Sequence, residues 1–279
     1  MDEFHYRIPW RSGSAHPGHH RSRATGGGYE FHSHAPLIQA GDPRHLDIRA
    51  SLSDPFGQFK VRQFLQTSII QVQVIADLSA SMKVAGKPAL LARLVASIAF
   101  SACRTGDPFA CLGIGASGQA KIHQPPSRHR RLGLDSARQV QEVTFAGEGL
   151  ASEGLNLSTY LGQRRSLVFL LSDYHFPLRH LERLLEQLHP HDVVPVVLWL
   201  QREWEPPVRH GLAQLRDPES GIRRLFYVRP ALKRRLGEAF AKRRKQLTDL
   251  CQAYGRPPFF VIDEFRPDAF SHYFLETCA

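Results

Sequence analysis

A chain of 279 residues is long enough for one large core, or for a core with a smaller appendage. Its 42% hydrophobic and 22% charged composition excludes wholesale disorder, and its four cysteines show no C-x-x-C spacing, so neither a zinc ribbon nor a disulfide framework is signalled. The formal net charge of +10 favours an acidic partner such as nucleic acid, anionic lipid or an acidic protein surface, without choosing among them.

Residues 1–35 are rich in Gly, His, Arg and Ser and read as a flexible, basic, exposed arm. The paired histidines His19 and His20, with His32 and His34, are weighed there as metal ligands against a solvated arm, and nothing in the spacing fixes a geometry. The leading stretch MDEFHYRIPWRSGS has no apolar signal-peptide core, and the apolar runs at 167–171 and 193–200 are too short to cross a bilayer. A soluble cytoplasmic protein is expected.

From Gly41, GDPRHLDIRAS reads as a turn followed by alternation, and FKVRQFLQTSIIQVQVIAD carries apolar residues into a strand ending at Asp77. PALLARLVASIAFSAC is helical, with Pro88 suited to the first turn. FACLGIGA reads as a strand and QAKIHQ as a short one, while 135–163 mixes helical spacing with Gly-rich breaks. SLVFLLSD and DVVPVVLWL are apolar strands flanking the amphipathic helix LRHLERLLEQL. IRRLFYV is strand-like, ALKRRLGEAFAKRRKQLTDLCQAY is a long basic helix, and PFFVID closes the pattern. Apolar strands alternating with helices predict an α/β fold, a mostly parallel sheet with helices on both faces. Val74–Asp77, Leu167–Ser172 and Val193–Trp199 are expected as neighbouring parallel strands in its interior.

The chemistry gathers at VIADLSASM, where an apolar strand ends in Asp77, Ser79 and Ser81. Ligands of open α/β sheets sit beyond the carboxyl ends of the strands, and one carboxylate with two hydroxyls suits a hard cation such as Mg²⁺. Asp and Ser also cap loops, which is the competing reading. LSD at 171–173 ends a second apolar strand and places Asp173 at the same sheet edge. Asp77 is expected at a solvent-facing strand end, where its replacement by Ala leaves the fold intact.

The D-x-S-x-S spacing, with a later strand ending in S-D, resembles the metal-ion-dependent adhesion site of von Willebrand factor A-like domains. GGGYEF, GDPRHLDIRAS, KVRQF (Lys60–Phe64), DLSASM, LLSDYHFP and DPESG (Asp217–Gly221) occur in the order found in the bacterial family named domain of unknown function 58. The resemblance runs from about residue 17 to about residue 263. It implies a von Willebrand factor A-like (Rossmann-like) domain over 66–279 behind a basic N-terminal extension over 1–65. It also implies Mg²⁺, or Mn²⁺, at Asp77, Ser79, Ser81 and Asp173, and an adaptor that pairs with a MoxR-type AAA+ ATPase in assembling or maturing other proteins. This sequence departs from the family pattern at Pro43, where a second acid is usual, and at Ile48, where an aromatic is usual. Leu155 stands where the adhesion site has a threonine, leaving Asn156, Ser158 or Thr159 as substitutes. Gly41, Asp42, Arg44 and Asp47 form either a partner motif or a structural turn with an internal ion pair.

An enzyme is not expected. DLSAS lacks the second acid of an aspartyl-phosphate phosphatase, GIGASG is not a nucleophile elbow, and no phosphate-binding G-x-x-x-x-G-K-[ST] loop occurs. The alternative function is polyanion or nucleic-acid binding through Lys233, Arg234, Arg235, Lys242, Arg243, Arg244 and Lys245 on the long basic helix, against a merely solvated face.

Overall fold

The computed structural model of the protein describes residues 2–278 apart from 27, 29, 41, 85, 153, 206–210, 217–222 and 229, with the stretches 211–216 and 223–228 described as backbone. Gly41 and the DPESG motif therefore lie outside the described residues. The chain divides into two compact units, Ile8–Ile70 and Met1–Arg7 joined with Gln71–Ala279.

The smaller unit is a three-stranded antiparallel sheet of β1 (Pro17–Gly26), β2 (Glu30–Pro36) and β3 (Lys60–Ser68), with β3 in the middle. Between β2 and β3 run the short helices α1 (Leu37–Ala40) and α2 (Ile48–Leu52). Here the expected flexible arm is corrected: β1 and β2 find backbone partners on β3, so a stretch poor in apolar residues is ordered by ladder hydrogen bonds rather than by a core of its own. The alternation expected after GDPRHLD is also replaced by helix. Asp47 Oδ1 accepts from the Ala50 N–H at 3.1 Å, and this N-cap starts α2.

In the larger unit a six-stranded sheet has the order β11-β8-β7-β4-β5-β6. The chain enters it through β4 (Val72–Asp77), then α3 (Lys87–Arg104), β5 (Phe109–Ile114), β6 (Ala120–Ser127) and α4 (Arg130–Glu142). It continues through β7 (Leu167–Ser172), α5 (Leu178–Gln187) and β8 (Asp192–Trp199), then the two-stranded pair β9 (Gly211–Arg216) and β10 (Arg223–Val228). The helix α6 (Pro230–Ala253), the edge strand β11 (Phe259–Ile262) and α7 (Pro267–Thr277) complete it.

Strands β4, β7 and β8 are neighbours and parallel, as their largely apolar sequences predict, with Gln73 a buried polar exception inside β4. Only β6 runs antiparallel, against β5. The stretch FKVRQFLQTSIIQVQVIAD, expected to lead into a strand ending at Asp77, holds two strands. It leaves the small sheet at Ser68 and enters the large one at Val72, a break hidden in sequence because Ile69 and Ile70 are buried on their own account.

The first residues also belong to the larger unit. Phe4 is 1% exposed, and its ring lies 4.6 Å from that of Phe270 and 6.0 Å from that of Phe169 by centroid. Its N–H donates to Ser101 Oγ at 3.0 Å, and the Tyr6 hydroxyl donates to Asp107 Oδ2. Arg256 grips Asp192 in a bidentate pair, Nε to Oδ1 at 2.7 Å and Nη2 to Oδ2 at 2.8 Å, which fixes the approach to β11 against the start of β8.

Candidate metal and partner site

β4 and β7 run side by side and end together, so the loops that follow carry Asp77, Ser79 and Ser81 toward Asp173 at the carboxyl edge of the sheet. The four predicted residues converge. Ser79 Oγ lies 3.0 Å from Ser81 Oγ, and the Ser81 hydroxyl donates to Asp173 Oδ1 at 3.2 Å. Asp77 sits beside them with both oxygens engaged. Oδ1 accepts from the Ser79 N–H at 3.0 Å and the Leu150 N–H at 3.4 Å, and Oδ2 from the Ser172 hydroxyl at 2.6 Å.

The expected solvent-facing position of Asp77 is corrected. Asp77 and Asp173 are both 0% exposed, Ser79 is 3% and Ser81 is 8%. The cover is the segment after α4. The Ala80 N–H donates to Gly147 O and the Ala146 N–H to Leu78 O, and Gly149 then crosses directly over the Asp77 carboxylate. A Cβ on Gly149 would lie 2.1 Å from Asp77 Oδ1, and its φ of +54° already sits in the left-handed region, so glycine is required there on both counts. Burial, and then the nearby Asp173 carboxylate, push Asp77 up to about 7.

Sequence reasoning missed the cation that is already present. Lys87, at the first turn of α3, is 0% exposed, and its ammonium lies 2.7 Å from Asp173 Oδ2 and 2.6 Å from Glu203 Oε1. Glu203 Oε2 also accepts from the Leu200 N–H at 2.9 Å. Burial raises Glu203, but His175, Lys87 and the Leu200 N–H together outweigh it and bring the carboxyl down to about 2. In sequence Lys87 looked like the opening of a helix, and Glu203 lies in a short turn far along the chain with no motif around it.

Leu155 offers no oxygen to the site. It is buried in the core with Leu150, Leu157 and Leu184. Asn156, Ser158 and Thr159 bond to one another, Ser158 Oγ to Asn156 Oδ1 at 2.6 Å and Thr159 Oγ1 to Asn156 O at 2.8 Å. Gly149 and Leu150 occupy the ground above Asp77 instead.

The oxygen set fits a small hard cation in its spacing. Neighbouring oxygens of a Mg²⁺ octahedron stand about 2.9 Å apart, and the Ser79 and Ser81 hydroxyls, at 3.0 Å, form such an edge next to a carboxylate held in low dielectric. Among the described residues no group of three or more His, Cys, Asp or Glu forms a metal cluster, and an ion placed here would have to rely on hydroxyls and water as much as on carboxylate. Asp173, with one oxygen committed to Lys87, offers its other oxygen through Ser81.

Several of the remaining predicted residues have structural employment. Asp42 accepts from the Arg44 N–H at 3.0 Å, and their side chains make an exposed pair at 3.4 Å. Asp47 takes Arg62 Nε at 2.7 Å and His34 Nε2 at 3.1 Å besides capping α2. On α6, Arg243 donates to the carbonyls of Tyr174 and Phe176, Arg244 lies over the Phe260 ring at 4.6 Å, and Arg234 pairs with Glu238 at 3.7 Å. Arg235, Lys242 and Lys245 are exposed and Lys233 is half-buried. The basic cluster is thus partly spent on packing. Among the described residues, no helix is long and apolar enough to cross a membrane.

These features define a mixed α/β protein whose mostly parallel sheet gathers hydroxyls and carboxylates at one carboxyl edge. The chain belongs to the family described as "Protein of unknown function DUF58", whose sequence profile matches residues 39–246. A Paracoccus denitrificans relative described as an uncharacterised protein in the moxR 3′ region is 35% identical over 103 residues, 36% of this chain and 96% of that protein. The Mycobacterium tuberculosis uncharacterised protein Rv1480 is 23% identical over 229 residues, 79% of this chain and 71% of that protein. A von Willebrand factor type A structure from Catenulispora acidiphila is a weak neighbour, with a TM-score of 0.36 and 17% identity over 76% of this chain and 43% of that one.

Proposed function

We propose that this protein is a non-enzymatic interaction adaptor with a von Willebrand factor A-like fold, acting with a MoxR-type AAA+ ATPase in the assembly or maturation of other proteins. The observation that carries the reading is the grouping of the Ser79, Ser81 and Asp173 oxygens beside the buried Asp77. The location of a relative in a moxR 3′ region supports the choice of ATPase.

In this reading Asp77, Ser79 and Ser81 hold Mg²⁺ or Mn²⁺, with Asp173 steering the Ser81 hydroxyl. The bound ion would supply a coordination position for a carboxylate from the partner. Ser81, the most exposed of the three, marks the side of approach. Lys87 holds Asp173 and Glu203 in place without help from an ion, which keeps the loop geometry fixed in advance of binding.

The test begins with Mn²⁺ titration of the purified chain, followed by electron paramagnetic resonance. Saturable millimolar or tighter binding that is lost in Ser79→Ala is expected; no binding by the wild type overturns the metal reading. Association with the MoxR-type ATPase of the same organism is then followed by sedimentation, for the wild type and for Ser81→Ala. A complex that forms with the wild type and weakens in the variant is expected. Failure of the wild type to associate at micromolar concentrations overturns the ATPase partnership.

A further inference from the structure

A cleft of about 410 Å³ lies between the segment that follows the Asp77 cover and the helix α5, with Leu150 common to that cover and the cleft wall. That volume falls in the range of small-ligand sites. Its apolar wall is Leu150, Leu155 and Leu184, and its polar wall includes Ser152, His180 and Arg183. Buried polar atoms in folded proteins are nearly always paired. Two in this wall are not: Ser152 Oγ, on a residue 9% exposed, and His180 Nε2 are both buried without a hydrogen-bond partner.

The chemistry of each group narrows the ligand. His180 Nδ1 lies 2.8 Å from Ala151 O, and a carbonyl only accepts, so Nδ1 carries the proton and Nε2 of the neutral ring is an acceptor. It calls for an N–H or O–H. Ser152 Oγ donates or accepts. Arg183, exposed at the rim with no ion pair among the described residues, calls for an anion, and carboxylate suits its planar fork. Gln187 adds nothing to the demand, since its amide already bonds Leu157 N–H at 2.9 Å and Leu155 O at 2.9 Å. The leucines call for an aliphatic group.

An amide N–H, a carboxylate and an aliphatic side chain occur on a single α-carbon at the end of a polypeptide. We propose that this cleft binds the carboxyl terminus of a peptide ending in an aliphatic residue. The last amide N–H donates to His180 Nε2, the terminal carboxylate accepts from Ser152 and Arg183, and the side chain packs on Leu150, Leu155 and Leu184. Capture of a chain end by a few fixed polar groups is a known mode of peptide recognition. The proposal stands on the cleft alone and does not require the metal reading.

The experiment is a titration of the full ¹⁵N-labelled chain with N-acetyl-Ala-Ala-Leu bearing a free carboxylate, followed by amide chemical shifts. Saturable shifts confined to 150–156 and 178–187 are expected, with binding weakened at least about tenfold by converting the carboxylate to an amide or by methylating the last amide nitrogen. Arg183→Gln, a rim substitution that leaves the core untouched, should weaken binding about fivefold or more, and Ser152→Ala should weaken it severalfold. The proposal is overturned if no saturable shifts occur at millimolar peptide, if acid and amide bind alike, or if Arg183→Gln binds as the wild type does. N-acetyl-leucine binding as tightly as the tripeptide would overturn the peptide assignment in favour of a small acylated amino acid.

Discussion

The Lys87 ammonium and the Asp173 carboxylate meet at 2.7 Å in a region with no solvent contact, and Glu203 closes on the same ammonium from the other side at 2.6 Å. A buried ion pair is weak evidence of net stability, because desolvation of both charges offsets most of their attraction. Removing one member is a different matter, since the partners then stay buried and uncompensated. Lys87→Met should therefore cost about 3–5 kcal/mol of unfolding free energy in urea, and adding Glu203→Gln should recover part of that loss. A single variant as stable as the wild type would show that the pair does not hold the edge of the sheet.

Acid should act on the smaller unit through Asp47. Its carboxyl is held well below the usual range, first by the Ala50 N–H and then by Arg62 and His34. A depressed folded-state value means that the folded protein binds the proton less readily than the unfolded chain. The stabilisation is then fully present above about pH 4 and is lost as pH falls below it. Unfolding midpoints recorded from pH 6 down to pH 2 should fall less steeply for Asp47→Asn than for the wild type, with the variant less stable at pH 6. Parallel curves would assign the acid sensitivity to other carboxylates.

What the sequence disclosed followed the physics of each element. Strands β4, β7 and β8 were legible because a strand buried on both faces is largely apolar, and Asp77 and Asp173 were legible as acids closing the runs of β4 and β7. A boundary was expected near 65/66, but the point where β3 gives way to β4 was not legible, because Ile69 and Ile70 continue the apolar run while the backbone changes sheets. Helix α2 was hidden because its start depends on one capping carboxylate rather than on periodicity. In the site, Asp77, Ser79, Ser81 and Asp173 were visible as a motif. Lys87, Glu203 and Gly149 were not, since their importance lies only in what the fold sets against them.

The N-terminal residues make the same point in energetic form. Two aromatics, Phe4 and Tyr6, among charged neighbours in MDEFHYR carry no helical or core signal, yet Phe4 lies among Phe169, Phe265, Phe270 and Phe274. Phe4→Ala should cost about 3–5 kcal/mol, the range for emptying an aromatic site in a packed core. Phe4→Leu, which refills most of the volume, should cost clearly less. If both variants unfold with the wild type in denaturant, the segment does not belong to the core of the larger unit.

Asp77 separates the role of its charge from that of its hydrogen bonds. Its oxygens satisfy the N–H groups of Ser79 and Leu150 and the Ser172 hydroxyl in a site without water access, so Asp77→Ala leaves buried donors unpaired and should cost about 1–3 kcal/mol. Asp77→Asn keeps one acceptor for the two N–H groups, and Ser172 can turn its hydroxyl to accept from the new amide. It also removes a negative charge that burial and Asp173 both oppose. In chelator the Asn variant should therefore be at least as stable as the wild type at neutral pH, while the Ala variant is less stable. With millimolar Mn²⁺ the order should change. The wild type gains stability by binding the ion in the folded state, and the Asn variant gains little because a neutral amide is a poorer ligand than carboxylate. The measurement is thermal unfolding of all three proteins with chelator and with Mn²⁺. An Asn variant that Mn²⁺ stabilises as much as it stabilises the wild type would remove Asp77 from the cation site and leave it as the hydrogen-bonded anchor of the covering segment.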